Sequence, residues 1–253
     1  MLFDTHAHLN DSRFDGIRDS LIETLPQNGV ANYCEIGYDI ASSEEAAKLA
    51  HRYDFVYAAA GVHPHDTDSL TPNDMDTLKK LCADSKVVAL GEIGLDYYYD
   101  NSLRENQRKW FDIQLSVAEE LNIPITVHSR DAMGDTLDIL KSHPNARGII
   151  HCYSGSVESA KILVGLGFYI SFAGPVTFKN ANTALDVIKY VPEDRMLIET
   201  DSPYLAPVPY RGKTNTPVYV AEVAKKIAEI KKKSFEEIAG ITFDNAKKVY
   251  EIK

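Results

Sequence analysis

Histidines stand beside several short apolar runs that are rich in β-branched residues. Six of the eight histidines lie at or just past the ends of such runs, namely His6, His8, His63, His65, His128 and His151. His6 and His8 are two positions apart, and on a β-strand side chains at that spacing share a face, so two imidazoles can bind one cation. The pair is a weak signal alone, but it indicates metal chemistry.

Two carboxylates occupy comparable positions. Glu92 ends the apolar run that begins at Val87, and Asp201 follows the run Met196 to Thr200. A buried carboxylate is costly unless an ion pair or a metal compensates it. Each residue alone also fits a structural role, Glu92 in an ion pair and Asp201 as a cap. Together, four imidazoles and two carboxylates suit a dinuclear divalent site. The set is His6, His8, Glu92, His128, His151 and Asp201.

Eight apolar runs alternate with segments of helical periodicity, which is the pattern of a parallel sheet covered on both faces. They are Leu2 to His6, Val30 to Gly37, Val56 to Val62, Val87 to Ile93, Pro124 to His128, Arg147 to His151, Phe168 to Phe172 and Met196 to Thr200. About 250 residues is the usual size of a (β/α)8 barrel, whose strand ends meet at one mouth. The sequence therefore predicts an α/β fold, a (β/α)8 TIM barrel forming a single domain over residues 1–253.

Helix-start patterns support the alternation. The capping-box pattern occurs at Ser42-x-x-Glu45, Ser102-x-x-Glu105 and Ser234-x-x-Glu237, and Thr71-Pro72 fits an N-cap followed by proline. A polar, proline-rich stretch from Ser202 to Pro217 indicates a long functional loop. Two helices are predicted after it, near Tyr219 to Lys231 and Phe235 to Tyr250, so the barrel should carry an additional C-terminal helix.

Composition limits the possible classes of protein. The net charge of -10 disfavours non-specific adhesion to nucleic acid, so activity on nucleic acid must rest on the site itself. Three cysteines without a CxxC pair argue against a disulfide framework. Cys152, next to His151, should point to the opposite face of a strand and take no part in catalysis. Without a long apolar run or signal-peptide features, we expect a cytoplasmic protein with no membrane partner, and a monomer is favoured.

Six short blocks carry most of the chemistry-bearing residues. They are Phe3 to Leu9 (FDTHAHL), Gly61 to His65 (GVHPH), Gly91 to Tyr97 (GEIGLDY), Pro124 to Arg130 (PITVHSR), His151 to Gly155 (HCYSG) and Glu199 to Pro207 (ETDSPYLAP). In this order they resemble the signature blocks of the TatD family of metal-dependent deoxyribonucleases. The segment Arg211 to Pro217 departs from that family's pattern at Thr214 and Thr216, where Arg and Glu are common, and this bears on substrate preference.

The resemblance implies divalent-metal-dependent hydrolysis of DNA, often exonucleolytic. It further implies a ligand set in which His6 and His8 bind one metal, His128 and His151 serve the second, Glu92 bridges and Asp201 completes the site. Single-stranded or end-bearing DNA is the expected partner, and two divalent ions, Mg2+, Mn2+ or Zn2+, are the expected cofactors.

A two-metal mechanism is expected for phosphodiester hydrolysis, because two cations activate a water molecule and neutralise charge in the transition state. Asp201 is the carboxylate best placed to take the proton of that water. Glu92 is assigned as the shared ligand, since one carboxylate has two oxygens to divide between cations.

Further residues are candidates for substrate contact. His63 is predicted to act in catalysis or substrate binding, while His65 either binds substrate or is a solvated loop residue. Arg130 can pair with a phosphate or with a nearby acid such as Asp131. The rings of residues 97–99 offer surfaces for an unpaired base, although packing against the next helix is expected for at least one of them.

Two other functions stay open. One is a metal-dependent amidohydrolase or esterase acting on a small-molecule C–N or ester bond. That wider group resembles this chain in its paired histidines and final aspartate, but many of its dinuclear members use a lysine where this chain has Glu92. The other is a non-catalytic barrel protein, which an intact ligand set disfavours.

Overall fold

A parallel eight-stranded barrel forms the centre of the protein, whose computed structural model describes residues 1–252. The strands follow chain order: β1 Leu2–Ala7, β2 Val30–Ile36, β3 Val56–Ala60, β4 Val87–Asp96, β5 Ile125–Arg130, β6 Gly148–Ile150, β7 Tyr169–Phe172 and β8 Met196–Ile198. The chain just beyond β8 closes the ring on β1, because the Asp201 N–H donates to the His6 carbonyl at 2.9 Å and the His8 N–H to the Ser202 carbonyl at 2.7 Å. The predicted (β/α)8 TIM barrel is confirmed.

Helices surround the barrel. They are α1 Arg18–Thr24, α2 Ile40–Arg52, α3 Pro72–Cys82, α4 Arg104–Leu121, α5 Met133–Ser142, α6 Val157–Gly165, α7 Asn182–Tyr190, α8 Val220–Lys231 and α9 Phe235–Val249. The predicted additional C-terminal helix is α9, after which the Tyr250 hydroxyl donates to the Thr5 carbonyl at 2.8 Å and its ring packs on Phe3. Within residues 1–252, no helix has both the length and the apolar character needed to cross a membrane.

Apolar side chains form two layers. The smaller layer includes Phe3, Cys34, Ile36, Ala59, Ala89, Ile149 and Leu197, which come from six of the strands, together with side chains of α9. The larger layer contains most of the remaining core and joins the strands to the surrounding helices. Strands packed on both faces give the residues at their C-terminal ends a rigid support.

β4 differs from its prediction in length. It continues through Asp96, so Glu92 lies within the strand and not at its end. The pairing of β4 with β5 shifts register around Glu92, and such an irregularity re-aims a side chain without ending the strand. Gly91 permits the close approach of the two strands, because a Cβ there would lie 2.6 Å from the Thr126 carbonyl oxygen.

Two of the four predicted helix starts are confirmed. Pro72 begins α3 directly after Thr71, and both the N–H and the hydroxyl of Thr71 donate to Asp74 at 2.7 Å. Ser234 caps α9 by accepting the Glu237 N–H at 3.1 Å. Local capping chemistry therefore decides these two starts.

The other two predicted starts are wrong. α2 begins directly after Asp39, whose carboxylate accepts the Ser42 N–H at 2.7 Å, so Ser42 lies inside the first turn. α4 begins at Arg104, and the Ser102 hydroxyl donates to the His65 carbonyl at 2.8 Å instead of capping the helix. At α2 the carboxylate of Asp39 is better placed to cap the helix, and at α4 the hydroxyl of Ser102 bonds to a carbonyl that is distant in sequence.

Candidate metal centre

Four side-chain atoms meet at the C-terminal end of β1, and we call them the first donor set. The Nε2 atoms of His6 and His8 are 3.1 Å apart. Glu92 Oε2 lies 3.4 and 3.7 Å from these two nitrogens, and Asp201 Oδ1 lies 3.8 and 3.5 Å from them. Atoms that share one ion at about 2.1 Å must lie roughly 3–3.4 Å apart. The set therefore fits one divalent cation with small side-chain adjustments.

A second donor set uses the other oxygen of Glu92. Glu92 Oε1 lies 2.9 Å from both His128 Nδ1 and His151 Nε2, and these two nitrogens are 3.2 Å apart. The spacing again suits a shared cation. Glu92 thus directs one oxygen toward each donor set, which is the arrangement that a bridging carboxylate requires.

Three of the imidazoles make a hydrogen bond through the ring nitrogen that points away from the centre, and this bond determines which nitrogen of a neutral ring carries the proton. His8 Nδ1 donates to a backbone carbonyl of β2 at 3.1 Å. His128 Nε2 donates to Asp96 Oδ2 at 3.1 Å, and His151 Nδ1 donates to Glu199 Oε1 at 3.1 Å. In the neutral form of each ring, the nitrogen that faces the centre therefore carries no proton and can offer a lone pair to a cation. Carboxylate partners of this kind also orient ligating rings.

The two carboxylates of the centre are ionised. Glu92 is 3% exposed, and burial raises the pKa of a carboxyl, but the imidazoles around it, His151 foremost, outweigh burial and bring the pKa of Glu92 well below its usual range. The pKa of Asp201 is also lowered, because its imidazole neighbours outweigh the effect of burial. Ionised carboxylate oxygens and imidazole nitrogens are both ligands that divalent cations accept.

His63 and His65 lie beside the second donor set in the segment after β3. His63 Nδ1 accepts the His65 backbone N–H at 3.2 Å, so the proton of a neutral His63 ring is on Nε2, 3.6 Å from Glu92 Oε1. Burial lowers the pKa of His63 well below its ordinary value and keeps the ring neutral. His65 Nε2 donates to Asp96 Oδ2 at 3.0 Å. His63 therefore presents a neutral N–H to the centre.

A cavity of about 610 Å3 opens onto both donor sets. Its wall is formed by His8, Asp11, Tyr38, His63, His65, Asp66, Glu92, Asp96, Tyr99, Asn101, His128, Arg130, His151, Asp201, Tyr204 and Leu205. Within residues 1–252, Arg130 is the only arginine or lysine that lines this cavity. It forms no ion pair with any carboxylate of those residues, including Asp131. The guanidinium carbon of Arg130 lies 4.2 Å from the ring centroid of Tyr98 instead.

Three buried carboxylates near the centre were not singled out from the sequence. Asp96 at the end of β4 is 1% exposed, and Glu199 just after β8 is fully buried. Glu35 on β2 is also fully buried and accepts two backbone N–H groups of the chain that follows His8, at 3.2 and 2.8 Å. Each is an acid beside or within an apolar strand, so the cost of burial that drew attention to Glu92 applies to all three.

The loop after β8 is attached to the barrel through Asn215. This residue is fully buried, and its Nδ2 donates to the carbonyls of Thr200 at 2.8 Å and Tyr204 at 2.6 Å. Thr214 is exposed and Thr216 is half-buried, on either side of this anchor. The two departures from the family pattern therefore do not touch the donor sets.

Cys152 lies two residues beyond the end of β6, outside the strand that its prediction assumed. It follows β6 in a turn with φ of 41°, so the alternation of a strand does not set its direction, and that part of the prediction is wrong. Burial, together with the charges of Asp201 and Glu199, raises the pKa of the thiol well above its usual value. A protonated thiol is a poor nucleophile, which agrees with a non-catalytic residue.

Comparisons with known proteins cover the whole barrel. The family model described as TatD related DNase matches residues 3–251. The chain is 46% identical to the uncharacterized metal-dependent hydrolase YabD of Bacillus subtilis over the full length of both proteins. It is 34% identical to the 3'-5' ssDNA/RNA exonuclease TatD of Salmonella typhimurium over 99% of each chain. The crystal structure of YJJV, a TatD homolog from Escherichia coli, matches 100% of this chain and 98% of its own with a TM-score of 0.93 at 29% identity.

Proposed function

The chain belongs to the TatD-related DNase family of metal-dependent hydrolases, and we propose that it hydrolyses DNA phosphodiester bonds from strand ends. The observation that carries this proposal is the pair of donor sets that share Glu92. Two divalent cations that share a carboxylate ligand are typical of enzymes that cleave phosphate esters. The relative named as a 3'-5' exonuclease adds support for this substrate class.

We assign one ion to each donor set. His6, His8 and Asp201 would hold the first, His128 and His151 the second, and Glu92 would contribute to both. Divalent cations held there, Mg2+, Mn2+ or Zn2+, would neutralise charge on the phosphate and lower the pKa of a water molecule toward neutrality.

Asp201 would act as the base in this proposal. Its carboxylate is 14% exposed, lines the cavity and is ionised, so it can accept a proton from a water that attacks the phosphorus. The side chain of the other acid of the centre, Glu92, is 4% exposed, and both of its oxygens are directed at imidazole nitrogens. Of the two acids in the donor sets, Asp201 is therefore the one more open to the cavity.

His63 and Arg130 would bind the phosphate. The N–H of His63 points into the cavity beside the second donor set, and a neutral ring can donate to a phosphate oxygen without changing its charge. Arg130 offers guanidinium N–H groups that no protein carboxylate of residues 1–252 engages, and such groups suit a phosphate. His65, which donates to Asp96, would support the wall of the cavity near His63.

Strand ends are the preferred part of DNA in this proposal. The protein carries a net charge of -10, and Asp11 and Asp66 add negative charge to the cavity wall. A long duplex needs many lysine and arginine contacts, whereas a single strand can enter a narrow cavity and reach the centre with one or two phosphates. A cytoplasmic location and a monomeric state stay predictions from the sequence.

The main alternative is hydrolysis of a small-molecule ester or C–N bond, because a cavity of about 610 Å3 also has the size of small-ligand sites. Metal-stripped protein should be reloaded separately with Mg2+, Mn2+ or Zn2+ and tested on end-labelled single-stranded DNA, end-bearing duplex, closed circular DNA and a panel of small esters and amides. We expect metal-dependent cleavage with a preference for single strands and ends. Turnover of the small esters alone, or DNA cleavage that persists in excess EDTA after dialysis, would contradict the proposal.

A further inference from the structure

Two tyrosines at the cavity mouth expose most of their rings. Tyr98 is 58% exposed and Tyr99 is 53% exposed, and Tyr99 lines the cavity. Both belong to the segment 97–101 that joins β4 to the turn before α4. Aromatic rings at a cavity entrance give apolar, flat surfaces, and a ligand with its own flat ring can cover them.

The backbone that carries these tyrosines is held at both ends. Asp96 Oδ1 accepts the N–H groups of Tyr98 and Tyr99, both at 2.9 Å. Gln107 on α4 is fully buried, and its Nε2 donates to the carbonyls of Asp96 at 3.1 Å and Ser102 at 2.9 Å. The exposed rings therefore stand on a fixed support. The other oxygen of Asp96 binds His128 of the second donor set, so the segment is tied directly to the metal centre.

Arg130 adds a positive charge to this part of the wall. Its guanidinium carbon lies 4.2 Å from the Tyr98 centroid and 4.8 Å from the Tyr99 centroid. The comparable arginine at the mouth, Arg13, stacks at 4.3 Å on Tyr204, but Asp11 neutralises it through contacts of 2.8 and 2.9 Å. Arg130 has no such partner among residues 1–252. Its charge is available to a ligand.

We propose that Tyr98, Tyr99 and Arg130 form a subsite for the unpaired nucleotide that adjoins the scissile phosphate. This inference rests on the proposed nuclease function. The Tyr99 ring, which lines the cavity, would stack on the base, with the perpendicular Tyr98 ring beside it, and Arg130 would bind the adjoining phosphate. A base in a duplex is stacked and paired, so only a single strand or a frayed end can fill the subsite. The segment thereby gives a physical basis for selecting unpaired ends.

The test compares two substrates and three proteins. One substrate is an end-labelled single-stranded oligonucleotide, and the other has the same backbone with abasic residues at the two positions nearest each end. The proteins are wild type, the double variant Tyr98→Ala/Tyr99→Ala, and the matched control Tyr190→Ala. Tyr190 is also an exposed tyrosine beside a cation, but it is the last residue of α7, away from the strand ends that form the mouth. Circular dichroism checks the folding of each variant.

We expect wild type and Tyr190→Ala to prefer the intact oligonucleotide by roughly 5- to 150-fold in kcat/KM, the range that base stacking on an aromatic ring gives. The double variant should lose that preference, while its rate on the abasic substrate stays close to that of wild type. Equal rates of wild type on both substrates, or an unchanged preference in the double variant, would overturn the subsite and leave the nuclease proposal standing. Failure of wild type to cleave either substrate with any metal would remove the nuclease function and the subsite together.

Discussion

Asp96→Asn tests how one buried carboxylate supports the metal centre. Asp96 Oδ2 accepts from His65 Nε2 at 3.0 Å and His128 Nε2 at 3.1 Å, while Oδ1 accepts two backbone N–H groups of the next residues. If the amide oxygen of asparagine keeps the backbone donors, its NH2 group faces two imidazole N–H groups. Donors cannot bond to donors. His128 relieves the conflict by moving its proton to Nδ1, the nitrogen that belongs to the second donor set.

The expected loss follows from that proton shift. Removing the partner behind a ligating histidine weakens metal binding by about 10–100-fold, which is roughly 1.4–2.7 kcal/mol. The loss should be confined to the second donor set. His8 in the first donor set is oriented by a carbonyl of β2, and Asp96 does not contact it. One of two binding steps should therefore weaken while the other keeps its affinity.

Titration calorimetry with Mn2+ or Zn2+ on metal-free protein measures both steps. Asp66→Asn is the matched control, because Asp66 lines the same cavity but forms no hydrogen bond with an imidazole in residues 1–252. Thermal unfolding of the metal-free proteins checks the fold. Unchanged affinity at both steps in a folded Asp96→Asn variant, or an equal loss at both, would show that Asp96 does not support the second donor set.

Substitutions at three other places have distinct expected effects: at a neighbour of the centre, at the proposed base and in a distant ion-pair cluster. Cys152→Ser should keep the metal-dependent rate within about tenfold of wild type, and a collapse of the rate in a folded variant would make Cys152 catalytic. Asp201→Asn should lower the rate by orders of magnitude under saturating metal, and near-normal turnover would exclude it as the base. The pKa of His143 is raised because Glu119 and Asp112 outweigh burial. The stability that protonated His143 adds to the fold is therefore complete below the ordinary histidine pKa of about 6.5, and it is lost as pH rises through the raised value. The Tm difference between wild type and His143→Gln should accordingly be larger at pH 6 than at pH 9, and a constant difference would contradict this.

The barrel could be predicted from sequence because parallel strands leave a clear pattern. Continuous apolar runs of β-branched residues, separated by helical periodicity, determine the order of strands, and the fold then brings His6, His128 and His151 to one mouth. Periodicity does not determine register. The shift that places Glu92 inside β4 arises from pairing with β5, and no local signal in β4 reveals it.

The carboxylates that accept hydrogen bonds from the candidate ligand histidines were harder to predict. Glu199 lies 48 positions from His151, and Asp96 lies 32 positions from His128. Their roles depend on which strand ends become neighbours and on which imidazole nitrogen faces inward. Both depend on tertiary contacts, and the spacing of residues along the chain does not encode them. The same reason explains the error at Ser102, whose hydroxyl bonds to a carbonyl 37 positions away.

Metal content and turnover of Glu92→Gln, measured on the same preparation, test whether Glu92 serves both donor sets. The structure places Oε1 at 2.9 Å from His128 and His151, and Oε2 at 3.4 and 3.7 Å from His6 and His8. After equilibrium dialysis and elemental analysis, wild type should hold two ions per chain. Glu92→Gln should hold fewer, hydrolyse DNA slower by orders of magnitude and retain its circular dichroism spectrum, because amide and acid are nearly isosteric. Two ions per chain with near-normal turnover in Glu92→Gln would contradict the bridging role.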